Sequence, residues 1–400
     1  VKLRILTLLP ILGTITGASS QTPLSANEAL TLAARNRPTI QAAKLGIEQA
    51  KFTGRAQSAL PATTIGIGAS TRSDVGATDQ DLFISQPIDA FGRQREARRL
   101  SHAYVQLAAL AYQQAAMDLQ TEVLTTFSAA VAARKRADVA NELLIIADGL
   151  LTATKRRFDE GKVAQLQVTR ANLELGRAKQ SAIVQAANYS AAVTRLAGNL
   201  GEQSPNFAID AEATIEPLLG PGVASRPEIL ILAAQVQLAV AEAEVARSQH
   251  RPDLNLQLVR SPWDSNRGYF VGRAQLTWPI FDHGRSRAES KAARLKQESG
   301  RKDLADAIAR AEAELASIKI ELTAHQAQVK GFEAILAGAR DLVAKSQRAY
   351  AEGFGTQVEV LEASRALREV ELDLVEVQAQ VNLSVISQYR ASGYLAEVLK

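Results

Sequence analysis

No cysteine occurs among the 400 residues, which removes disulfide staples, thiolate metal ligands and thiol nucleophiles together. It also removes the acylated cysteine of a lipoprotein N-terminus, so no lipid anchor is expected. Aromatic residues are scarce, at 5% against 46% hydrophobic in all. The apolar content is therefore mostly Ala, Leu, Val and Ile, which suits thin helical seams better than a thick aromatic core. Charge of one sign is lacking too: 46 basic residues nearly balance 42 acidic ones, for a formal +4. With no basic stripe interleaved with aromatics, nucleic acid is not expected as a partner. The four histidines, His102, His250, His283 and His325, form no H-x-x-x-H or H-E-x-x-H pair, so no metal site is expected. Neither a G-x-x-x-x-G-K-[ST] loop nor a G-x-S-x-G elbow is present, which sets aside ATPase and acyl-transfer chemistry. The expectation is a protein that is not an enzyme and carries no cofactor.

Long hydrophobic runs are few. Lys2 and Arg4 precede an apolar stretch of 11 residues, Ile5 to Ile15, and Gly17, Ala18 and Ser19 follow it. This is the pattern of a secretory signal peptide over residues 1–19, the alternative being a buried N-terminal helix. A membrane helix needs about 20 apolar residues, so the stretch is too short to span, and no later run is expected to span either. Any crossing of a bilayer then requires a closed β-barrel.

What is present is an internal duplication. Asn36-Arg37-Pro38-Thr39-Ile40 recurs as Ser225-Arg226-Pro227-Glu228-Ile229, and Leu60-Pro61-Ala62 as Arg251-Pro252-Asp253. Gln86-Pro87-Ile88-Asp89-Ala90-Phe91-Gly92-Arg93 recurs as Trp278-Pro279-Ile280-Phe281-Asp282-His283-Gly284-Arg285. Arg157-Phe158-Asp159-Glu160-Gly161 recurs as Ala349-Tyr350-Ala351-Glu352-Gly353, and all equivalent residues lie 189 to 192 apart. So steady an offset marks two copies of one unit. The expected organisation is a first repeat over 24–199, a linker over 200–225 and a second repeat over 226–395.

Each repeat opens with a helix, from about Ser25 to Leu60 and from about Pro227 to His250, ended by Pro61 or Pro252. A β-hairpin is expected next, at 62–88 and at 253–280. In the second, Leu254, Leu256 and Leu258 alternate with Asn255 and Gln257, and Phe270 to Trp278 alternate likewise. In the first, Ile65 and Ile67 alternate with Gly66 and Gly68. Strands of about nine to eleven residues suit a tilted membrane span. Four strands cannot close a barrel, which needs about eight, so lipid-facing hairpins imply an oligomer. The other reading is a small soluble sheet capping a helical bundle; Trp263, Tyr269 and Trp278 near the strand ends favour the membrane through an interfacial girdle.

Long helices complete each repeat. Leu304, Ile308, Ala311, Leu315, Ile318, Leu322, His325, Val329, Phe332 and Leu336 follow alternating steps of four and three, the signature of coiled-coil contact. The helices break at Gly161 and Gly353, glycine supplying the left-handed C′ conformation. Thr356 and Glu359 then stand at capping-box spacing. From Gly284 to Gly353 the helix would run roughly 100 Å at about 1.5 Å per residue, a length that suits a tube.

The order and duplication of these features, with Phe158-Asp159-Glu160-Gly161-Lys162-Val163-Ala164 and Tyr350-Ala351-Glu352-Gly353-Phe354-Gly355-Thr356, resemble the TolC-like outer membrane efflux protein family from about residue 24 to 395. The resemblance implies a mainly α fold with a membrane β-barrel portion. Three protomers would complete a 12-stranded barrel above an α-helical tunnel in the periplasm. It implies a passive exit duct at the cell outer membrane, serving a tripartite efflux pump or type I secretion system. The partners would be a second and third copy, outer membrane lipid, a periplasmic adaptor and an inner-membrane pump. The Gly161 and Gly353 turns would lie at the periplasmic tip, where the duct closes. Tyr350 matches the tyrosine of the family's gate, but Gly355 stands where an arginine is found and Gln167 where an aspartate is found, so an ion-pair latch of that form is not expected. Glu359 and Glu362 match an acidic constriction ring and lie three apart, on one helix face. Glu359 has a competing role as the capping-box carboxylate. The alternative function is a periplasmic coiled-coil adaptor or scaffold with soluble β inserts.

Overall fold

A computed structural model describes residues 23–72, 77–260 and 270–399. The expected leader, Trp263 and Tyr269 lie outside the described residues.

Pro38 splits the first expected helix in two. α1 (Ala26–Asn36) opens with a capping box in which Ser25 N donates to Glu28 Oε2 at 2.9 Å and Glu28 N donates to Ser25 Oγ at 3.3 Å. Arg37 is extended (φ −76°, ψ 120°), as steric conflict with the following proline ring favours. α2 (Pro38–Gln57) then restarts with proline at its first position and stops three residues short of Leu60. β1 (Thr64–Arg72) and β2 (Ala77–Ile88) follow, then α3 (Arg93–Asp159) and α4 (Gln165–Leu200). After the linker the same order returns: α5 (Pro227–Ser248), β3 (Asp253–Arg260), β4 (Val271–Thr277), α6 (Arg285–Glu352) and α7 (Gln357–Ser392).

The strands hold 9, 12, 8 and 7 residues, a wider spread than expected, and Trp278 lies just past the end of β4. They form one antiparallel sheet in the order β1-β2-β3-β4. The two hairpins join through β2 and β3, with Ile84 opposite Leu258 and Gln86 opposite Leu256. β1 and β4 are left as edges, each presenting an unpaired row of backbone groups.

α3 holds 67 residues and α6 holds 68, about 100 Å each at about 1.5 Å per residue. Along α6 the seam residues from Leu304 to Leu336 are buried or half-buried, and the stripe continues through Ala339, Val343 and Tyr350. Most of the remaining α6 surface is exposed in the single chain. The thickest core lies midway along the helices. There α1, the middle of α3, the C-terminal ends of α4 and α7, and linker residues Ile209 and Ile215 close around Phe127, Leu196, Leu200 and Val385. Tyr389 donates from its hydroxyl to Glu216 O in this girdle, and burial pushes its pKa up to about 12.

One expectation fails at α5. No later run was expected to be long and apolar enough to cross a membrane, yet Pro227–Ser248 passes that test with a mean hydropathy of 1.7 over its most apolar window. Its alanines, valines and leucines face α3 on one side and α6 on the other. Packed between them, every α5 residue but Gln235, Gln237 and Arg247 is buried or half-buried, which accounts for an apolar composition without a bilayer.

At the top of the helices Arg93 ties the repeats together. Its guanidinium donates to Ser248 O at 3.1 Å, Gln249 O at 3.1 Å and Arg251 O, and meets Asp253 Oδ2 at 2.5 Å. Arg251 reaches back to Phe91 O at 2.9 Å. A cation thereby satisfies the orphan carbonyls at the C-terminal end of α5, where the helix dipole favours positive charge.

Candidate functional site at the helical tips

Far from the sheet, α3 turns into α4 and α6 into α7. Gly161 (φ +71°) and Gly353 (φ +95°) take the left-handed conformation that ends each first helix, a region where a Cβ would add strain. Phe354 N and Gly355 N both donate to Ala349 O, at 2.9 and 3.0 Å, and tie off the end of α6. A Cβ at Gly355 would come within 3.1 Å of Ala349 Cβ and Tyr350 N. The turn is wound too tightly there to seat an arginine without local adjustment.

The two tip hairpins are joined within the chain. Tyr350 is only 2% exposed and lies in a cluster with Ala147, Leu150, Leu151, Ala171, Leu175 and Val360. Its hydroxyl stands 3.0 Å from Thr154 Oγ1. Arg157 stacks over the Tyr350 ring at 4.6 Å and donates from Nη1 to Tyr350 O at 2.8 Å. Across the second helices, Gln357 Nε2 donates to Gln167 O at 2.9 Å, and Gln357 is itself buried. Gln167 therefore contributes its main chain to the joint, and its side-chain Oε1 is buried without a partner among the described residues. Of the five residues expected at the tip and gate, Tyr350 and Gln167 meet the opposite hairpin; Gly161, Gly353 and Gly355 shape the turns.

Thr154, Arg157 and Gln357 were not foreseen as tip residues. Beside Asp159 and Glu160, Arg156 and Arg157 have the composition of a solvated turn. That holds for Arg156 and Lys162, which meet Glu160 at 3.4 and 2.8 Å and hold its pKa below the usual carboxylate range. Arg157 instead points across to α6.

Glu359 and Glu362 are both exposed on the first turns of α7. Glu359 Oε2 accepts from Thr356 N at 2.9 Å while Glu359 N donates to Thr356 Oγ1 at 3.3 Å, so the capping box is formed. Glu362 has no part in it. The same face carries further carboxylates that were missed: Glu369 follows Glu362 by seven residues, Asp373 and Glu376 follow at steps of four and three, and all are exposed. That spacing was readable in the sequence, since charged residues at heptad steps share a face just as apolar ones do. Glu376 meets Arg136 of α3 at 2.6 Å.

Higher on α7, Glu371 is a buried carboxylate between α3, α6 and α7. Arg340 donates to its Oε1 at 2.9 Å, and Arg340 also faces Glu142 at 3.8 Å. Burial raises the Glu371 pKa against the pull of Arg340, and the Glu142 charge raises it further. Among the described residues no group of three or more His, Cys, Asp or Glu could hold a metal ion.

Paired helical hairpins of this length, hung from a four-stranded sheet with open edges, make the architecture of a TolC-like channel, with helical tunnel and barrel. CusC, whose crystal structures describe transmembrane channel formation, superposes with a TM-score of 0.77 at 18% identity over 93% of each chain. The sequence profile of the outer membrane efflux protein family matches residues 29–202 and again 222–394. The chain belongs to the outer membrane efflux protein family; it is an outer membrane channel protein extending into the periplasm, and members of this class are not enzymes. It is similar to the pyoverdine export outer membrane protein OpmQ of Pseudomonas aeruginosa, 29% identical over 82% of this chain and 72% of that one. It is also similar to the cobalt-zinc-cadmium resistance protein CzcC of Cupriavidus metallidurans, 23% identical over 90% of this chain and 87% of that one.

Proposed function

We propose that three copies of this chain form the passive outer-membrane exit duct of a tripartite efflux pump or type I secretion system. The observation that carries the reading is the sheet: four strands with both edges open, too few to close alone, in a chain of the outer membrane efflux family. Pairing β4 of one copy with β1 of the next removes every edge and gives a 12-stranded barrel, which satisfies the backbone groups that lipid cannot. Two repeats per protomer, over 24–199 and 226–395, would then supply equivalent staves of the helical tunnel.

Conduction in such a duct is diffusion through water, with energy supplied by an inner-membrane pump reached through a periplasmic adaptor. The tips set whether the duct is open. Their closing contacts run through Tyr350, Thr154, Arg157, Gln167 and Gln357: two neutral hydrogen bonds, one charge-assisted hydrogen bond from Arg157 to a carbonyl, and one cation–π contact, in place of an ion-pair latch. Glu359 and Glu362 of three copies would place six carboxylates around the axis, favouring cations at the constriction. Relatives at similar distance are named for pyoverdine export and for cobalt, zinc and cadmium resistance, so a shared duct serves different cargoes and selection belongs upstream.

The test is to purify the mature chain in detergent, measure its oligomeric mass, and record its conductance in a lipid bilayer. A trimer with discrete conductance steps is the expected result. A monomer that stays soluble without detergent and conducts nothing would overturn the reading.

A further inference from the structure

We infer that Arg285 is an intersubunit clasp, which inserts into the C-terminal end of α2 of the neighbouring copy as Arg93 inserts into the end of α5 within the chain. The inference rests on the oligomer proposed above and deepens it by naming the residues that hold one copy to the next.

Arg93 and Arg285 are equivalent positions, 192 residues apart in the duplicated Gly-Arg segment. Each is the first residue of its long helix and follows a left-handed glycine, Gly92 at φ +77° and Gly284 at φ +88°. Each helix start is held by an aspartate. Asp89 accepts from Arg93 N and Gln94 N at 2.8 and 2.9 Å; Asp282 accepts from Gly284 N and Ser286 N at 3.0 and 2.9 Å. The aspartates stand one position apart in the aligned repeats, Asp89 opposite Phe281, so the helix starts are similar without being identical, and the arginines end differently. Arg93 reaches across the repeat boundary to three carbonyls and a carboxylate. Arg285 has no third repeat ahead of it in the chain. It pairs locally with Glu289 at 2.7 Å and is 74% exposed.

Arg285 opens the helix that follows β4, which is an open edge of the sheet, and the first repeat is open at β1. A neighbouring copy placed there presents α2 where α5 stands in the chain. The acceptors of Arg93, at Ser248, Gln249 and Arg251, map onto the carbonyls of Gln57, Ser58 and Leu60, since Leu60-Pro61-Ala62 is the counterpart of Arg251-Pro252-Asp253. The match fails at two informative places. Ala62 replaces Asp253, so the clasp between copies lacks a carboxylate, and Leu60 replaces Arg251, so nothing reaches back. The joint between copies is the weaker version of the joint within one.

This asymmetry supplies a test by gain as well as loss. Ala62→Asp should restore the missing carboxylate opposite Arg285 of the adjacent copy and slow dissociation of the oligomer in hot detergent by about tenfold, as a charge-assisted contact warrants. Arg285→Gln should speed dissociation, and in the Ala62→Asp background it should cancel the gain. Single variants and the double variant would be compared by the rate at which oligomer converts to monomer on gels at a fixed temperature. If Ala62→Asp slows dissociation equally with and without Arg285, or if neither single variant changes the rate, the clasp is overturned while the oligomer stands. If the parent chain is monomeric in detergent, the oligomer itself is overturned, and the clasp with it.

Discussion

The Tyr350 joint makes the sharpest quantitative demand on the gate. On the proposed reading, opening the duct would move the second tip hairpin against the first, and Tyr350 is a buried side chain that joins the two. Tyr350→Phe removes one hydroxyl and leaves the ring over Arg157. Thr154 is not orphaned, because its Oγ1 already donates to Leu150 O at 2.7 Å. The loss is then the net worth of one buried hydrogen bond, about 1 kcal/mol, which multiplies the open population by a factor of about five. Tyr350→Ala removes the ring as well. It empties a site buried among Leu150, Leu151, Leu175 and Val360, and truncations of buried aromatics cost about 3–5 kcal/mol. The expected order of resting conductance in planar bilayers is parent, then Phe, then Ala, with a much larger step from Phe to Ala. Trimer content and helicity should be unchanged, since the tips lie far from the main core. Equal resting conductance in all three proteins would refute a closing role for Tyr350. A full effect already at Phe would mean that the hydroxyl, and not the ring, carries the joint.

The two roles of Glu359 separate by substitution. Gln also serves in a capping box, so Glu359→Gln with Glu362→Gln keeps the α7 start and removes only charge; the reversal potential in a salt gradient should shift toward lower cation preference, and an unchanged potential would take both residues off the pore lining. For Glu371 the folded pKa lies above its unfolded value, so the stability it contributes is complete below the unfolded value and is lost as pH rises through the folded one. Glu371→Gln should therefore raise the melting temperature near about pH 8 and change it little near about pH 4; the opposite pH trend would show that Arg340, not burial, governs this carboxylate.

Much of the architecture was legible because the chain says it twice. The prolines at 38 and 227, the Gly-Arg pairs at 92 and 284 and the glycine turns at 161 and 353 recur at a nearly constant offset, and each marks a physical boundary that composition alone leaves vague. The α6 seam was readable to the residue, since a helix that meets its partner along one stripe must repeat its apolar residues at 3.5. The end of α2 was placed too late because proline cannot continue a helix interior and disfavours helix just before itself, but does not say how much earlier the chain departs. The apolar character of α5 was missed for another reason. Its apolar residues are interrupted by Gln235, Gln237, Glu242 and Glu244, so they form no unbroken run, while the window as a whole stays strongly apolar.

The tip contacts were out of reach for a different cause. Thr154 and Arg157 lie nearly 200 residues from Tyr350, and periodicity identifies the buried face of each helix without naming the helix opposite. The duplication could have supplied that link in part. Gln165 and Gln357 occupy equivalent positions, yet only Gln357 is buried against the other hairpin while Gln165 is exposed. Equivalent residues with unequal surroundings are what a chain of two repeats must show when its own first repeat is the only neighbour present. Phe158 and Tyr350 differ in the same sense: Tyr350 carries a hydroxyl because it meets Thr154, whereas Phe158, still 40% exposed, needs none. On the proposed oligomer, the positions where the two repeats have diverged would separate joints made within the chain from joints made between chains. The departures at Ala62, Leu60 and Phe158 all fall on the side that a neighbouring copy would cover.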